Sequence, residues 1–216
     1  MTKGRPVRIA LERDAVDGDL FVPTGVSGLV VFAHGSGSSR FSSRNRAVAS
    51  HLNEAGMATL LMDLLTPAED RVDAGTAEFR FDIPRLASRV LAAVAWVRAQ
   101  PRLRALPIGL FGASTGAAAA LIAAADQPAW VAAVVSRGGR PDLAGEALSR
   151  VDAPTLLIVG GDDEPVLTWN RQAADRMTGI VEVTVVDGAT HLFEEPGALE
   201  QVQQLAVEWF RRYLAP

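Results

Sequence analysis

The 216-residue sequence contains no cysteine. Disulfides, thiolate metal sites and a cysteine nucleophile are therefore excluded, and nothing calls for an oxidising compartment. An excess of positive charge is also missing: the formal net charge is -4, with 21% charged residues. No field attracts a phosphate backbone or an anionic membrane surface, so neither nucleic acid nor membrane is an expected partner. Met1 to Arg8 carry charge and no long apolar run follows, which predicts no signal peptide and no spanning helix. A soluble, cytoplasmic protein is the expectation. What the chain does have is 49% hydrophobic residues, enough for a sizeable core, and a length that one α/β domain over residues 1–216 can fill.

Apolar runs of strand length alternate with longer segments of helical period, the pattern of a mostly parallel sheet covered by helices on both faces. The runs are Val7 to Leu11 and Asp19 to Val22, read as a hairpin around Asp17-Gly18, then Gly28 to Ala33, Met57 to Met62, Pro107 to Phe111, Trp130 to Ser136, Pro154 to Val159 and Val181 to Val186. That predicts about eight strands. Helical stretches begin near Ser43, Asp82, Ser114, Thr168 and Gly197, with a short one around Leu143 to Leu148. Asp63 to Arg80 reads as irregular, because Pro67, Gly75 and scattered acids interrupt any period. Ala117 to Ala120 and Ala123 to Ala125 are small residues for a helix packed closely on the sheet. The segment from Arg137 to Ala153 is too short for a cap domain, so an open, shallow pocket is expected.

Pro107 to Phe111 leads into Gly112-Ala113-Ser114-Thr115-Gly116 and then an alanine-rich helix. A serine on such a strand-to-helix turn is held in strain with its hydroxyl exposed, and small neighbours prevent clashes. The bland alternative is that Ser114 only caps the helix. A hydroxyl nucleophile needs a base and a group that orients the base. Of the three histidines, His51 falls inside a helix, and His34 ends the third strand, where it is expected to hydrogen-bond the loop around it. His191 lies in a loop after the last strand, at the end of the sheet where Ser114 emerges. The acid should come from Gly160-Gly161-Asp162-Asp163-Glu164. Asp163 is preferred because it lies three residues after Gly160 and precedes Pro165 and Val166, which start the next helix, and this leaves Asp162 a loop-stabilising or salt-bridged role. The chain order Ser, Asp, His is that of a triad on this kind of sheet. For the oxyanion hole, the expected donors are the backbone N–H groups of Thr115 and of Ser36 in His34-Gly35-Ser36-Gly37.

Phe32-Ala33-His34-Gly35-Ser36-Gly37-Ser38-Ser39-Arg40, Phe111 to Gly116, Ser136 to Leu143, Val159 to Asp163 and Gly188-Ala189-Thr190-His191-Leu192-Phe193 together resemble the small α/β-hydrolases of the dienelactone hydrolase-like family, over nearly the whole chain. The resemblance implies an uncapped, eight-stranded α/β-hydrolase fold and carries the triad roles onto Ser114, Asp163 and His191. Dienelactone hydrolases proper use cysteine where this chain has Ser114, so the named lactone is not carried over. Related chains also occur fused to a phosphoribosyltransferase domain, which this sequence does not contain.

The expected activity is hydrolysis of small carboxylic esters or lactones, with no cofactor and no metal. Arg137 and Arg140 leave the end of the sixth strand and Arg40 follows the oxyanion loop. They are candidates to bind an acidic group on the substrate, unless local acids such as Asp142, Asp162 and Glu164 take them up. Two rivals stand. Gly35-Ser36-Gly37 followed by Asp63 suggests dinucleotide binding, but Arg40 occupies the place of the third glycine. A non-catalytic binding domain of the same fold is the other. The acyl group and the oligomeric state are not legible.

Overall fold

The computed structural model describes residues 4–214; the first three residues of the charged N-terminal stretch lie outside the described residues. Its eight strands are β1 (Arg5–Ala10), β2 (Ala15–Phe21), β3 (Leu29–Ala33), β4 (Ala58–Met62), β5 (Ile108–Ala113), β6 (Val131–Arg137), β7 (Thr155–Gly160) and β8 (Val181–Val186). They form one sheet in the order β1-β2-β4-β3-β5-β6-β7-β8. β2 pairs antiparallel with β1 and β4, and the pairs from β4 through β8 are parallel. β3, β4, β5 and β7 are buried along their whole length, as strands covered on both faces must be.

The helices are α1 (Ser43–Glu54), α2 (Pro67–Thr76), α3 (Ile83–Ala99), α4 (Thr115–Asp126), α5 (Glu164–Ala174) and α6 (Ala198–Tyr213), with a 3₁₀ stretch over Pro141–Arg150 kinked at Gly145. α3 and α4 pack on the face presenting Leu29, Val31, Leu110 and Val134. α1 and α6 pack on the face presenting Val30, Phe32, Phe111 and Val135. The alternation along β3 is what splits the core into these two layers. No cap domain follows β6. No helix among the described residues is long and apolar enough to cross a membrane.

Three local expectations are corrected. The β1–β2 connection is Leu11 to Asp14, closed by Leu11 N–H to Asp14 O at 2.8 Å, and Asp17-Gly18 lies inside β2. Gly18 is there for space: a Cβ would sit 3.1–3.2 Å from Leu60, Leu61 and Val7, so the glycine marks close strand approach and not a turn. The stretch from Asp63 to Arg80 holds α2, started by a capping box in which Thr66 accepts from Glu69 N–H at 3.2 Å and Glu69 accepts from Thr66 N–H at 2.8 Å, with Pro67 in the first turn. α5 begins at Glu164, not near Thr168, because Pro165 suits a first turn.

Candidate active site

At the C-terminal end of β5 the chain turns sharply into α4, and Ser114 takes φ 49°, ψ −122°. A residue with a Cβ avoids such angles, at roughly 1–3 kcal/mol, unless its surroundings impose them. Here they do. Ser114 N–H donates to Arg137 O at 3.3 Å, and Ser114 O accepts from Ala117 N–H and Arg140 N–H, each at 3.1 Å. The turn fits only with small neighbours: a Cβ on Gly112 would meet the Ala117 backbone, and one on Gly116 would strike the carbonyl oxygens of Ala33 and His34. Ser114 is formally the N-cap residue of α4, yet its side chain makes no capping hydrogen bond. The capping alternative therefore does not describe it.

Asp163 is in the same position at the start of α5, an N-cap residue with no side-chain cap. Its carboxylate instead accepts from His191 Nδ1 at 2.7 Å, and its side chain is only 14% exposed while that of His191 is 38% exposed. With the Nδ1 proton held there, Nε2 is the nitrogen left to accept one. The neighbouring Asp162 side chain is exposed, and what it contributes is its backbone N–H, donated to Ala189 O at 3.0 Å. The loop-stabilising role expected of Asp162 thus belongs to its main chain.

Two residues that sequence reasoning missed shape the His191 loop. Glu195 accepts from Thr190 Oγ1 at 2.6 Å, and that hydrogen bond pulls its carboxyl below the usual range. Phe193 is buried at φ 55°, a strained angle for an aromatic residue, which its packing holds in place. Gly138, at φ 50°, connects this loop to the serine. It follows Arg137, whose carbonyl takes Ser114 N–H, and a Cβ on it would lie 3.1 Å from His191 O and 3.6 Å from His191 Nδ1. Among the described residues no hydrogen bond joins the His191 ring to the Ser114 hydroxyl; such bonds commonly tighten only when substrate is bound.

The loop after β3 reaches the same point, for a Cβ on Gly35 would be 3.1 Å from Ser114 Cβ. No backbone acceptor among the described residues takes Ser36 N–H, and Thr115, first in α4, has an N–H without an intrahelical acceptor. His34 fixes this loop. Its Nδ1–H donates to Gly35 O at 2.9 Å, its Nε2 accepts from Leu64 N–H at 3.1 Å, and burial pushes its pKa down. His51 sits half-exposed on α1, 3.8 Å from Glu54, away from these groups. A cleft of about 770 Å³ opens between the β3 loop and α2, walled by His34, Ser36, Gly37, Thr115, Asp70 and Arg80. It meets the oxyanion side of the site through Ser36 and Thr115, while Ser114 and His191 are not among the residues that line it.

The three arginines differ. Arg40 is held by Asp63, which also accepts Arg40 N–H at 2.8 Å, and it lies 3.8 Å from Asp19. That pairing also occupies the acid a dinucleotide ribose would need. Arg140 forks onto Asp142 at 2.9 and 2.7 Å and stacks 4.0 Å over Trp169. Arg137 is 7% exposed and forms no ion pair among the described residues; burial, then the nearby charge of Arg44, pushes its pKa down to about 10. No group of three or more metal-binding side chains occurs among the described residues.

The dienelactone hydrolase family profile matches residues 16–214. The chain belongs to the dienelactone hydrolase family. A crystal structure of a dienelactone hydrolase from Anabaena variabilis superposes with a TM-score of 0.97 at 52% identity, covering 99% of this chain and 100% of that one. Est1E from Butyrivibrio proteoclasticus, at 17% identity, shares the fold with a TM-score of 0.78 over 97% of this chain and 98% of its own. Two Mycobacterium tuberculosis proteins, provisionally named phosphoribosyl transferases, are 59% identical over 199 residues, 92% of this chain but 44% of theirs. The chain thus spans less than half the length of those curated relatives.

Proposed function

We propose that this member of the dienelactone hydrolase family is a serine hydrolase that cleaves small carboxylic esters or lactones through an acyl-enzyme intermediate. The observation that carries the reading is Ser114 itself, strained at φ 49° and ψ −122° with a side chain that caps nothing. In the proposed mechanism Ser114 Oγ attacks the carbonyl carbon while its proton passes to His191 Nε2. The imidazolium that forms is stabilised through Nδ1–H by Asp163. Charge on the carbonyl oxygen is taken by the N–H groups of Ser36 and Thr115. The tetrahedral intermediate collapses, the bond to the alkoxide breaks, and His191 returns the proton to the departing oxygen. Water, deprotonated by His191, then attacks the acyl carbon and regenerates the Ser114 hydroxyl.

The name of the Anabaena relative supports lactones among the substrates. The transferase name of the mycobacterial relatives is not carried over, since the family profile over residues 16–214 already accounts for the stretch they share. The test is Ser114→Ala, assayed with 4-nitrophenyl acetate and dihydrocoumarin. Both rates should fall by about 10⁴ to 10⁶ with circular dichroism unchanged, and retention of either would remove Ser114 from the role.

A further inference from the structure

We propose that Asn170 is a positioning residue for the nucleophile: from α5, the helix whose N-cap residue is Asp163, it holds Gly139 and so braces the Arg137–Arg140 segment that keeps Ser114 in its strained conformation. The proposal rests on the reading of Ser114 as nucleophile. Asn170 is fully buried, and its Nδ2 donates to Gly139 O at 2.9 Å, 31 residues away in the chain, and to Val166 O of its own helix at 2.7 Å. Both acceptors are carbonyl oxygens, so the amide has one workable orientation. That orientation leaves Asn170 Oδ1 buried without a hydrogen-bond partner among the described residues. Asparagine is also a poor helix former, and an orphaned buried oxygen costs stability. A site that only had to be filled would be better served by leucine. What leucine cannot supply is the bond to Gly139.

Gly139 sits in the middle of the connection that holds the serine. Arg137 O accepts Ser114 N–H at 3.3 Å and Arg140 N–H donates to Ser114 O at 3.1 Å, so this one segment grips both sides of the strained residue. Between those contacts it is fixed at Gly138, whose N–H donates to Ile158 O of β7 at 2.8 Å, and at Gly139 by Asn170. Gly139 is packed closely on its neighbours, since a Cβ there would collide with Ser136 Oγ and Ala117 Cβ. Gly138 in turn lies against the His191 loop. Asn170 comes about two turns after Asp163 along α5. One helix thus carries the carboxylate that orients His191 and the amide that fixes the seat of Ser114. A displaced segment would be felt at nucleophile and base together, and misplacement by about 1 Å costs about 10²-fold in rate.

Three variants are compared with wild type by thermal unfolding, hydrolysis of 4-nitrophenyl acetate, rate of fluorophosphonate labelling, and amide hydrogen exchange over residues 112–117 and 137–141. Asn170→Leu fills the space without the donor. Asn170→Ser leaves a hydroxyl that returns to Val166 O but is one atom too short for Gly139 O. Ala173→Gly weakens the same helix and leaves the Gly139 bond in place. Asn170→Leu should keep its Tm within about 4 °C of wild type, while kcat and labelling rate fall about 10- to 100-fold with KM within about threefold. Both peptides should exchange about 10-fold faster. Asn170→Ser should show the same kinetic loss, and it carries the comparison if Asn170→Leu does not fold. Ala173→Gly should lower Tm and change kcat by less than about twofold. Undiminished kcat and labelling in the folded Asn170 variants, an equal loss in Ala173→Gly, unchanged exchange, or failure of both Asn170 variants to fold would make Asn170 a structural residue and overturn the proposal. A wild type that neither hydrolyses the ester nor labels would count against the Ser114 reading, and the exchange result alone would then decide whether Asn170 braces the segment.

Discussion

Replacing Asp163 with asparagine isolates one hydrogen bond. The carboxylate accepts His191 Nδ1–H at 2.7 Å and does nothing for α5, because it makes no cap. An asparagine whose amide N–H donates to Nδ1 moves the ring proton to Nε2 and leaves no lone pair for the serine proton, and one whose Oδ1 accepts from Nδ1–H keeps the tautomer without the charge. The variant also lacks the anion that steadies the imidazolium. Together these should lower kcat by about 10³ to 10⁴, equivalent to ~4–5.5 kcal/mol of barrier. Stability should change by only about 1 kcal/mol, the net worth of one hydrogen bond, or about 2–4 °C in Tm for a chain of this size. Asp162→Asn is the internal control. That side chain is exposed, and the bond it helps hold, N–H to Ala189 O, belongs to the backbone, so kcat should stay within about threefold. Steady-state kinetics with 4-nitrophenyl acetate and a melting curve on each protein decide the matter. Equal losses in the two variants, or a larger loss in Asp162→Asn, would refute the reasoning.

Two further perturbations test the scaffold. His34 is kept neutral by burial and uses both ring nitrogens; the unfolded chain takes up a proton near pH 6.5 while the folded chain resists it, so this group's stabilisation is complete above about 6.5 and fades as pH falls below it. The drop in Tm between pH 7.5 and 5 should accordingly be shallower in His34→Gln than in wild type, and identical slopes would mean that His34 is not titrating differently on folding. Gly116→Ala drives a methyl into the Ala33 and His34 carbonyl oxygens and should cost about 2–3 kcal/mol or more, about 5–10 °C in Tm, with loss of activity; an unchanged melting curve would show that the turn has more room than the geometry indicates.

How much of this could be read in advance depended on range. The elbow was legible because its signals are local: a buried strand, small residues around one serine, and a helix start. Asp163 and His191 were legible from position at strand ends, since parallel topology brings those ends together. α2 was hidden by Pro67, Gly75 and its acids, although Thr66, Pro67 and Glu69 carried its start signal in plain view. Gly18 misled because a glycine needed for close strand packing looks, in one dimension, like one needed for a turn. The difference between Arg137 and its neighbours Arg40 and Arg140 was beyond sequence reasoning, because whether an arginine finds an acid is decided by tertiary geometry. The strain at Phe193 and the Thr190–Glu195 bond belong to the same class.

The central claim is that Ser114 is the nucleophile, and covalent capture tests it most directly. Wild-type protein is incubated with a fluorophosphonate and digested, and the adduct is located by mass spectrometry. The expected result is a single adduct, on Ser114, formed much more slowly in Asp163→Asn, where His191 no longer serves as a base. An adduct on Ser36 or Ser38 instead, or a folded wild-type protein that never labels, would contradict it.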